Sequence, residues 1–159
     1  MWLSDRRAFL LGALALAGCG FTPAYAPGGP GAALRGQVRA DDPTDSLGFA
    51  FVGALEERLG RPQTVRYALS YTITTSERGA ASVVGVGATR IALLGRIDYA
   101  LTDTASGETV ASGNLRNVTN YSTTDNQLAT QRAREDAEER LMRILADQVA
   151  TRLLAAMAE

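Results

Sequence analysis

The sequence contains no histidine, a single cysteine and a single tryptophan, and although it carries 16 basic residues none of them is lysine. Without histidine there can be no Ser-His-Asp or Cys-His nucleophilic system, and with one thiol the common zinc ligand sets are out of reach. One thiol also excludes an intramolecular disulfide, so stability has to come from packing. Catalysis by carboxylates alone stays open in principle, but no acidic pair stands in a context that singles it out. The expectation is a protein that is not an enzyme, with no cofactor and no metal. A formal net charge of −1 leaves no basic surface of the kind nucleic-acid proteins present. The exclusive use of arginine does suit bidentate contact with phosphate or carboxylate.

The lone cysteine, Cys19, follows Leu16-Ala17-Gly18 at the end of the strongly apolar stretch near the N-terminus. This looks like the lipobox of a bacterial lipoprotein precursor, in which the thiol becomes a thioether to diacylglycerol and the mature chain begins at Cys19. The preceding residues have the parts of an export signal: Arg6 and Arg7, an apolar run from Ala8 to Ala17, and small residues before the cleavage point. That run is too short for a membrane span, which needs about 20 residues of helix. Arg6-Arg7 followed by Phe9 and Leu10 resembles a twin-arginine signal, but Asp5 stands where Ser or Thr is usual, and the general secretory route is the alternative. Once Arg6, Arg7 and Asp5 are removed, the 16 basic and 17 acidic residues become 14 and 16, close to neutral.

Residues 1–18 are thus expected to be a signal peptide and 19–33 a lipidated, flexible tether. The tether contains Pro23, Pro27, Pro30 and several glycines, a composition expected not to make a helix. Phe21 and Tyr25 depart from a pure spacer and are candidates for contact with the membrane interface or a partner. Residues 34–159 are enough for one domain with a core of its own.

Within that domain, Leu34 to Ala40 alternates like a short strand. An amphipathic helix follows, with Asp42 as cap, Pro43 in the first helical position and Asp45 in the first turn. Its apolar line is Leu47, Phe51, Val52, Leu55 and Leu59, and Gly60 and Pro62 end it. From Thr64 to Thr75, Val65, Tyr67, Leu69, Tyr71 and Ile73 share one face; from Arg90 to Asp103, Ile91, Leu93, Ile97, Tyr99 and Leu101 do. These two strands are expected to pair antiparallel, with Ser76 to Thr89, rich in Gly, Ala and Ser, as a long hairpin loop.

Asp103-Thr104-Ala105-Ser106-Gly107 signals a turn into a further strand, Glu108 to Tyr121. Val110, Leu115 and Val118 are out of phase there, suggesting a bulge near Gly113 or an edge position. Thr123, Thr124 and Asp125 are cap candidates for the longest helix, Gln127 to Met157. Its apolar line runs Ala133, Ala137, Leu141, Leu145, Val149, Leu153 and Met157, widened by Ile144 and Leu154, and Asp136/Arg140 and Glu139/Arg143 form i,i+4 pairs on its surface. The order β-α-β-β-β-α gives the fold class: α+β, a two-layer sandwich with two helices on one face of a mostly antiparallel four-stranded sheet. The other face carries Thr, Ser, Arg and Asp.

The run Cys19-Gly20-Phe21-Thr22-Pro23-Ala24-Tyr25 is similar to the Cys-Gly-Phe-x-Pro-x-Tyr start of alphaproteobacterial members of the LptE family, with Ala24 and Ala26 beside the tyrosine where the family varies. The Tyr67-to-Ile73 strand, the Leu101-Thr-Asp-Thr-Ala-Ser-Gly hairpin, Asn120-Tyr121 and the terminal helix through Arg152-Leu153 resemble that family in pattern. The resemblance implies a lipoprotein of the outer membrane, anchored on its periplasmic side, that plugs a large LptD-like β-barrel. It would assist the assembly of that barrel and the delivery of lipopolysaccharide to the outer leaflet. Gly20 after the lipidated cysteine looks like an outer-membrane sorting signal, and the lumen of so large a barrel is polar, as the outer faces inferred here are. The family is also described as binding lipopolysaccharide through basic residues. Arg78 and Arg90, flanking the hairpin loop, and Arg96 and Arg116, on strands, are the candidates for phosphate contact; an ordinary surface arginine is the alternative for each. The partners implied are the barrel, lipopolysaccharide and outer-membrane lipid, without nucleic acid.

Two other readings stand beside this one. A different periplasm-facing outer-membrane lipoprotein acting as a structural adaptor would share the anchor and the fold. A carboxylate-based hydrolase would need a pair such as Asp98 and Glu108 to converge in a pocket.

Overall fold

The computed structural model describes residues 29–83 and 87–158. In chain order the elements are α1 (Pro30–Leu34), β1 (Val38–Ala40), α2 (Ser46–Leu59), β2 (Tyr67–Val83), β3 (Gly87–Asp103), β4 (Thr109–Ser122) and α3 (Gln127–Ala156). The strands form one sheet in the order β1-β2-β3-β4, with β1 parallel to β2 and the other neighbours antiparallel. This is the α+β arrangement the alternation implied, with α2 and α3 on one face.

The core lies between that face and the helices. Tyr67, Leu69, Leu93, Ile97, Tyr99, Leu101 and Tyr121 project from the strands to meet Phe51, Leu55 and Leu59 of α2 and Ala137, Leu141, Leu145, Val149 and Leu153 of α3, all buried. A second buried row on α3 is Met142, Ala146 and Ala150, whereas Ile144 and Leu154, expected to widen the apolar line, are only half-buried. The small side chains of Ala146 and Ala150 in that row suit α3 to a close neighbour.

Lengths decide what is covered. At 30 residues α3 is about 45 Å long, comparable with β4, whose 14 residues span about 46 Å, and the two elements pack together. The 14 residues of α2 reach only about 21 Å, little more than a third of the roughly 56 Å of β2. On β2 the apolar side of the alternation accordingly stops after Ile73 and continues as Thr75 and Glu77.

The hairpin loop expected from Ser76 to Thr89 is not what the structure holds. β2 and β3 continue paired through Ser76 and Thr89, as far as Val83↔Gly87, with register irregularities around Ala81. The segment is strand because its backbone is satisfied by its neighbour, whatever its side chains cover. Arg78 and Arg90 are therefore strand residues.

Other boundaries shift for local reasons. Asp45, not Asp42, caps α2, its carboxylate accepting from Gly48 N at 2.7 Å, so Pro43 lies ahead of the helix. Asn126, not the residues before it, caps α3 by accepting from Ala129 N. Val65 is exposed, because the strand begins only at Tyr67. The shift on the β3/β4 ladder lies between Leu101 and Thr102, where Ala111 and Thr109 are the partners and Val110 is the extra residue, rather than at Gly113. β4 is an edge strand, as the weaker pattern allowed.

The stretch expected to be too Pro- and Gly-rich for a helix contains the start of one: α1 begins with Pro30 at its N-terminus and ends on the fully buried Leu34. Proline is suited to the first helical turn, where its missing N–H has no partner to lose. A turn at Gly36 (φ 69°) then leads into β1, so the strand expected from Leu34 is shortened to Val38–Ala40.

Candidate functional site

Residues paired across neighbouring strands point to the same face. The register therefore lays out the sheet face turned away from the helices as transverse rows. Thr72, Asp98 and Asn114 form one; Thr74, Arg96 and Arg116 the next; Ser76, Leu94 and Val118 the third; Arg78, Ala92 and Asn120 the fourth, with Arg90 and Ser122 beyond. All four candidate arginines lie on this outer face, but in two groups. Arg96 and Arg116 are direct partners near the middle of the sheet. Arg90 is six positions from Arg96, about 20 Å along the strand, and it accompanies Arg78 toward the hairpin end.

A shallow groove of about 580 Å³ runs over the central rows, lined by Thr74, Ser76, Leu94, Arg96, Arg116 and Val118 among others. It joins two chemistries, a pair of guanidinium groups and an adjacent apolar step made by Leu94 and Val118. Val118 is 50% exposed there.

Two contacts on the helix-facing side fix this part of the sheet. Gly95, between Leu94 and Arg96, leaves room for Leu141 of α3; a β-carbon at Gly95 would lie 2.8 Å from Leu141 Cδ2. The Thr119 hydroxyl, next to Val118, donates to the Ala137 carbonyl at 3.0 Å. Toward the hairpin end, Glu77 accepts an ion pair from Arg134 of α3 at 3.0 Å, and Arg134 also bonds Glu138. The Tyr121 hydroxyl stands beside them, its pKa raised by partial burial and by Glu77.

The electrostatics of the groove are asymmetric. Arg96 is bound in bidentate fashion to Asp98, Nε to Oδ2 at 2.9 Å and Nη2 to Oδ1 at 2.6 Å. Those hydrogen bonds, with the charges of Arg96 and Arg116 adding to them, hold the Asp98 carboxyl below the usual carboxylate range. Among the described residues Arg116 makes no ion pair of its own.

Neither Asp98 as a partner of Arg96 nor the apolar step was singled out by sequence reasoning. The signals were present: Leu94 falls on the otherwise polar side of its strand, Val118 is out of phase, and Asp98 is two residues from an arginine, on the same face. Asp98 and Glu108 do not converge. Glu108 lies in the β3/β4 turn, its carbonyl accepting from Asp103 N, and Asp103 is five positions, about 17 Å, from Asp98. No group of three metal-ligating side chains occurs among the described residues, and no described helix is long and apolar enough to cross a membrane. Cys19, Phe21 and Tyr25 lie outside the described residues.

The fold recurs in solved structures. A candidate lipoprotein from Caulobacter crescentus CB15 superposes with a TM-score of 0.68 at 22% identity, over 81% of this chain and 96% of that one. The rare lipoprotein B from Shewanella oneidensis does so with a TM-score of 0.53 at 15% identity, over 77% and 92%. A minor lipoprotein from Acinetobacter baumannii gives 0.53 at 14% identity, over 75% and 89%. At these identities the likeness concerns the fold. No curated protein matches the chain. The LptE family, described as lipopolysaccharide-assembly, matches residues 36–153, from the turn before β1 into the last turns of α3. The chain belongs to the LptE family.

Proposed function

We propose that this protein is an outer-membrane lipoprotein that seats inside an LptD-like β-barrel, assists its assembly and helps deliver lipopolysaccharide to the outer leaflet. In this reading residues 1–18 are removed, Cys19 is acylated, and residues 19–29 link the lipid to the domain, with Phe21 and Tyr25 at the membrane interface or on the barrel. More than one acyl chain is needed for firm attachment, since one chain binds only marginally. The lipoprotein names of the structural neighbours support the anchor. The outer sheet face meets lipopolysaccharide, with Arg96 and Arg116 toward its phosphates and Leu94 and Val118 toward apolar chain.

The observation that carries the lipid contact is the register pairing of Arg96 with Arg116 beside that apolar step. Guanidinium groups match phosphate geometry, and an amphiphile presents the same change from charge to hydrocarbon that the groove does. An adaptor without a lipid role has no need of it.

The test has two arms. Affinity purification through a C-terminal tag under mild detergent should bring down an outer-membrane barrel, and depletion of the protein should lower lipopolysaccharide at the cell surface. A monomeric, partnerless protein with unmodified Cys19, and normal surface lipopolysaccharide after depletion, would overturn the proposal.

A further inference from the structure

Two like charges directly opposite each other on antiparallel strands, with β-carbons about 4.5 to 5.5 Å apart, are unfavourable. Arg96 and Arg116 stand in that relation. Asp98 is what makes it tolerable. It lies two residues along β3 on the same face, takes the Nε and Nη2 donors of Arg96, and is also within the field of Arg116. Its own cross-strand neighbours, Thr72 and Asn114, are neutral. The carboxylate therefore serves these two guanidinium groups.

Asp98 occupies the Nε/Nη2 edge of Arg96, one of the two edges through which a guanidinium grips a phosphate with two parallel hydrogen bonds. An incoming anion competes with Asp98 for it, in a groove open to water, where exchanging one singly charged anion for another gains little. A phosphomonoester carries about −1.5 to −2 charges at pH 7, and a phosphodiester carries one. Arg116 adds attraction to whichever anion sits between the two guanidinium groups, and a dianion benefits from both.

Resting on the lipid-contact reading above, we infer that Asp98 is a specificity-determining residue: an internal counterion that Arg96 gives up for a lipid phosphomonoester but not for the phosphodiester of an ordinary phospholipid. The selectivity comes from competition within the protein, not from the shape of the groove.

The experiment uses the full chain and non-ionic detergent micelles doped with either phosphatidic acid or phosphatidylglycerol of the same acyl chains. The wild-type protein should bind the phosphatidic acid micelles about three- to tenfold more tightly. Asp98→Asn, which keeps size and shape, should bring the two affinities within about twofold of each other, mainly by tightening binding of the diester. Far-UV circular dichroism and thermal melting of the variant confirm that it is folded. An unchanged preference in Asp98→Asn, or no preference in the wild type, overturns the inference. A double variant, Arg96→Gln with Arg116→Gln, separates the two levels. If it loses binding while Asp98→Asn keeps the wild-type preference, only the role of Asp98 fails; if it binds as the wild type does, the lipid-contact reading fails as well.

Discussion

Arg96 and Arg116 face each other across β3 and β4, but only Arg96 is tied to a carboxylate. A residue kept for stability would not be placed there, because like charges directly opposed disfavour the ladder. Arg116→Gln should therefore leave the melting temperature unchanged or slightly higher while weakening binding to lipopolysaccharide micelles by about tenfold or more. Calorimetry and micelle titration on the same preparation read both. A clear loss of thermal stability with unaltered binding would make Arg116 a structural residue.

Gly95 meets Leu141 where the sheet and α3 come closest. A β-carbon there would lie 2.8, 3.1 and 3.3 Å from three atoms of a fully buried side chain, so turning the end of the leucine does not make room. Gly95→Ala should cost about 1 to 3 kcal/mol by overpacking, read from urea unfolding. Stability equal to wild type would mean that α3 moves away from the sheet more easily than its packing implies.

Thr119 is the one buried polar side chain among the described core residues, and its hydroxyl donates to Ala137 within α3. Thr119→Val keeps the shape and removes the bond. The expected loss is about 1 kcal/mol, that of a single hydrogen bond. Urea unfolding of the variant checks this, and a stabilised protein would show that dehydrating the hydroxyl outweighs the bond.

Asp147 ties α3 to α2 through Arg58, whose Nε lies 2.5 Å from its carboxylate. That hydrogen bond, with the charges of Arg58 and Arg143, holds the Asp147 pKa below the ordinary carboxylate range against the opposing effect of partial burial. A depressed native pKa means that the contribution is fully present above the unfolded value of about 3.9 and disappears as pH falls through the native value. Wild type should thus be more stable than Asp147→Asn at pH 7, and the gap should close below about pH 4. Denaturant titrations at pH 7, 4 and 3 measure it; a gap independent of pH would mean that the pair contributes nothing through its charge.

The hairpin end of β2 is not covered by α2 and is held instead by Glu77, Arg134 and Glu138. Surface pairs of this kind are screened by salt. Arg134→Ala should speed amide hydrogen exchange in β2 around Thr75 to Gly79, and high salt should do the same to wild type, with the lower half of the strand unaffected. Equal exchange in wild type and variant would leave the sheet ladder alone as the support of that end.

Element type and facing were readable from the sequence wherever one helix or strand meets a continuous partner. The lines Phe51, Leu55, Leu59 and Leu141, Leu145, Val149, Leu153, and the alternation from Tyr67 to Ile73, record a buried side at the period of the local backbone. Arg96 and Arg116 could likewise be named in advance as cations on strands, whereas Arg78 and Arg90 were expected beside a loop. What could not be read was how far each element is covered. The strand after Ile73 lost its apolar signature because α2 is too short to reach it, and a strand wet on both faces looks like a loop to any argument from hydrophobic period.

The sequence by itself determined the order of elements, the face each one buries and, through the lack of histidine and of a second cysteine, the chemistry it cannot perform. All of these follow from residue type and from contacts close along the chain. Only the tertiary structure decided that Arg96 stands opposite Arg116, that Leu94 and Val118 complete one groove with them, and that Arg78 and Arg90 lie about 13 and 20 Å further along the sheet. Those relations depend on strand register. Register is fixed by long-range fits such as Leu141 over Gly95 and by the extra residue at Val110, and a slip of one position would turn every side chain of a strand to the other face.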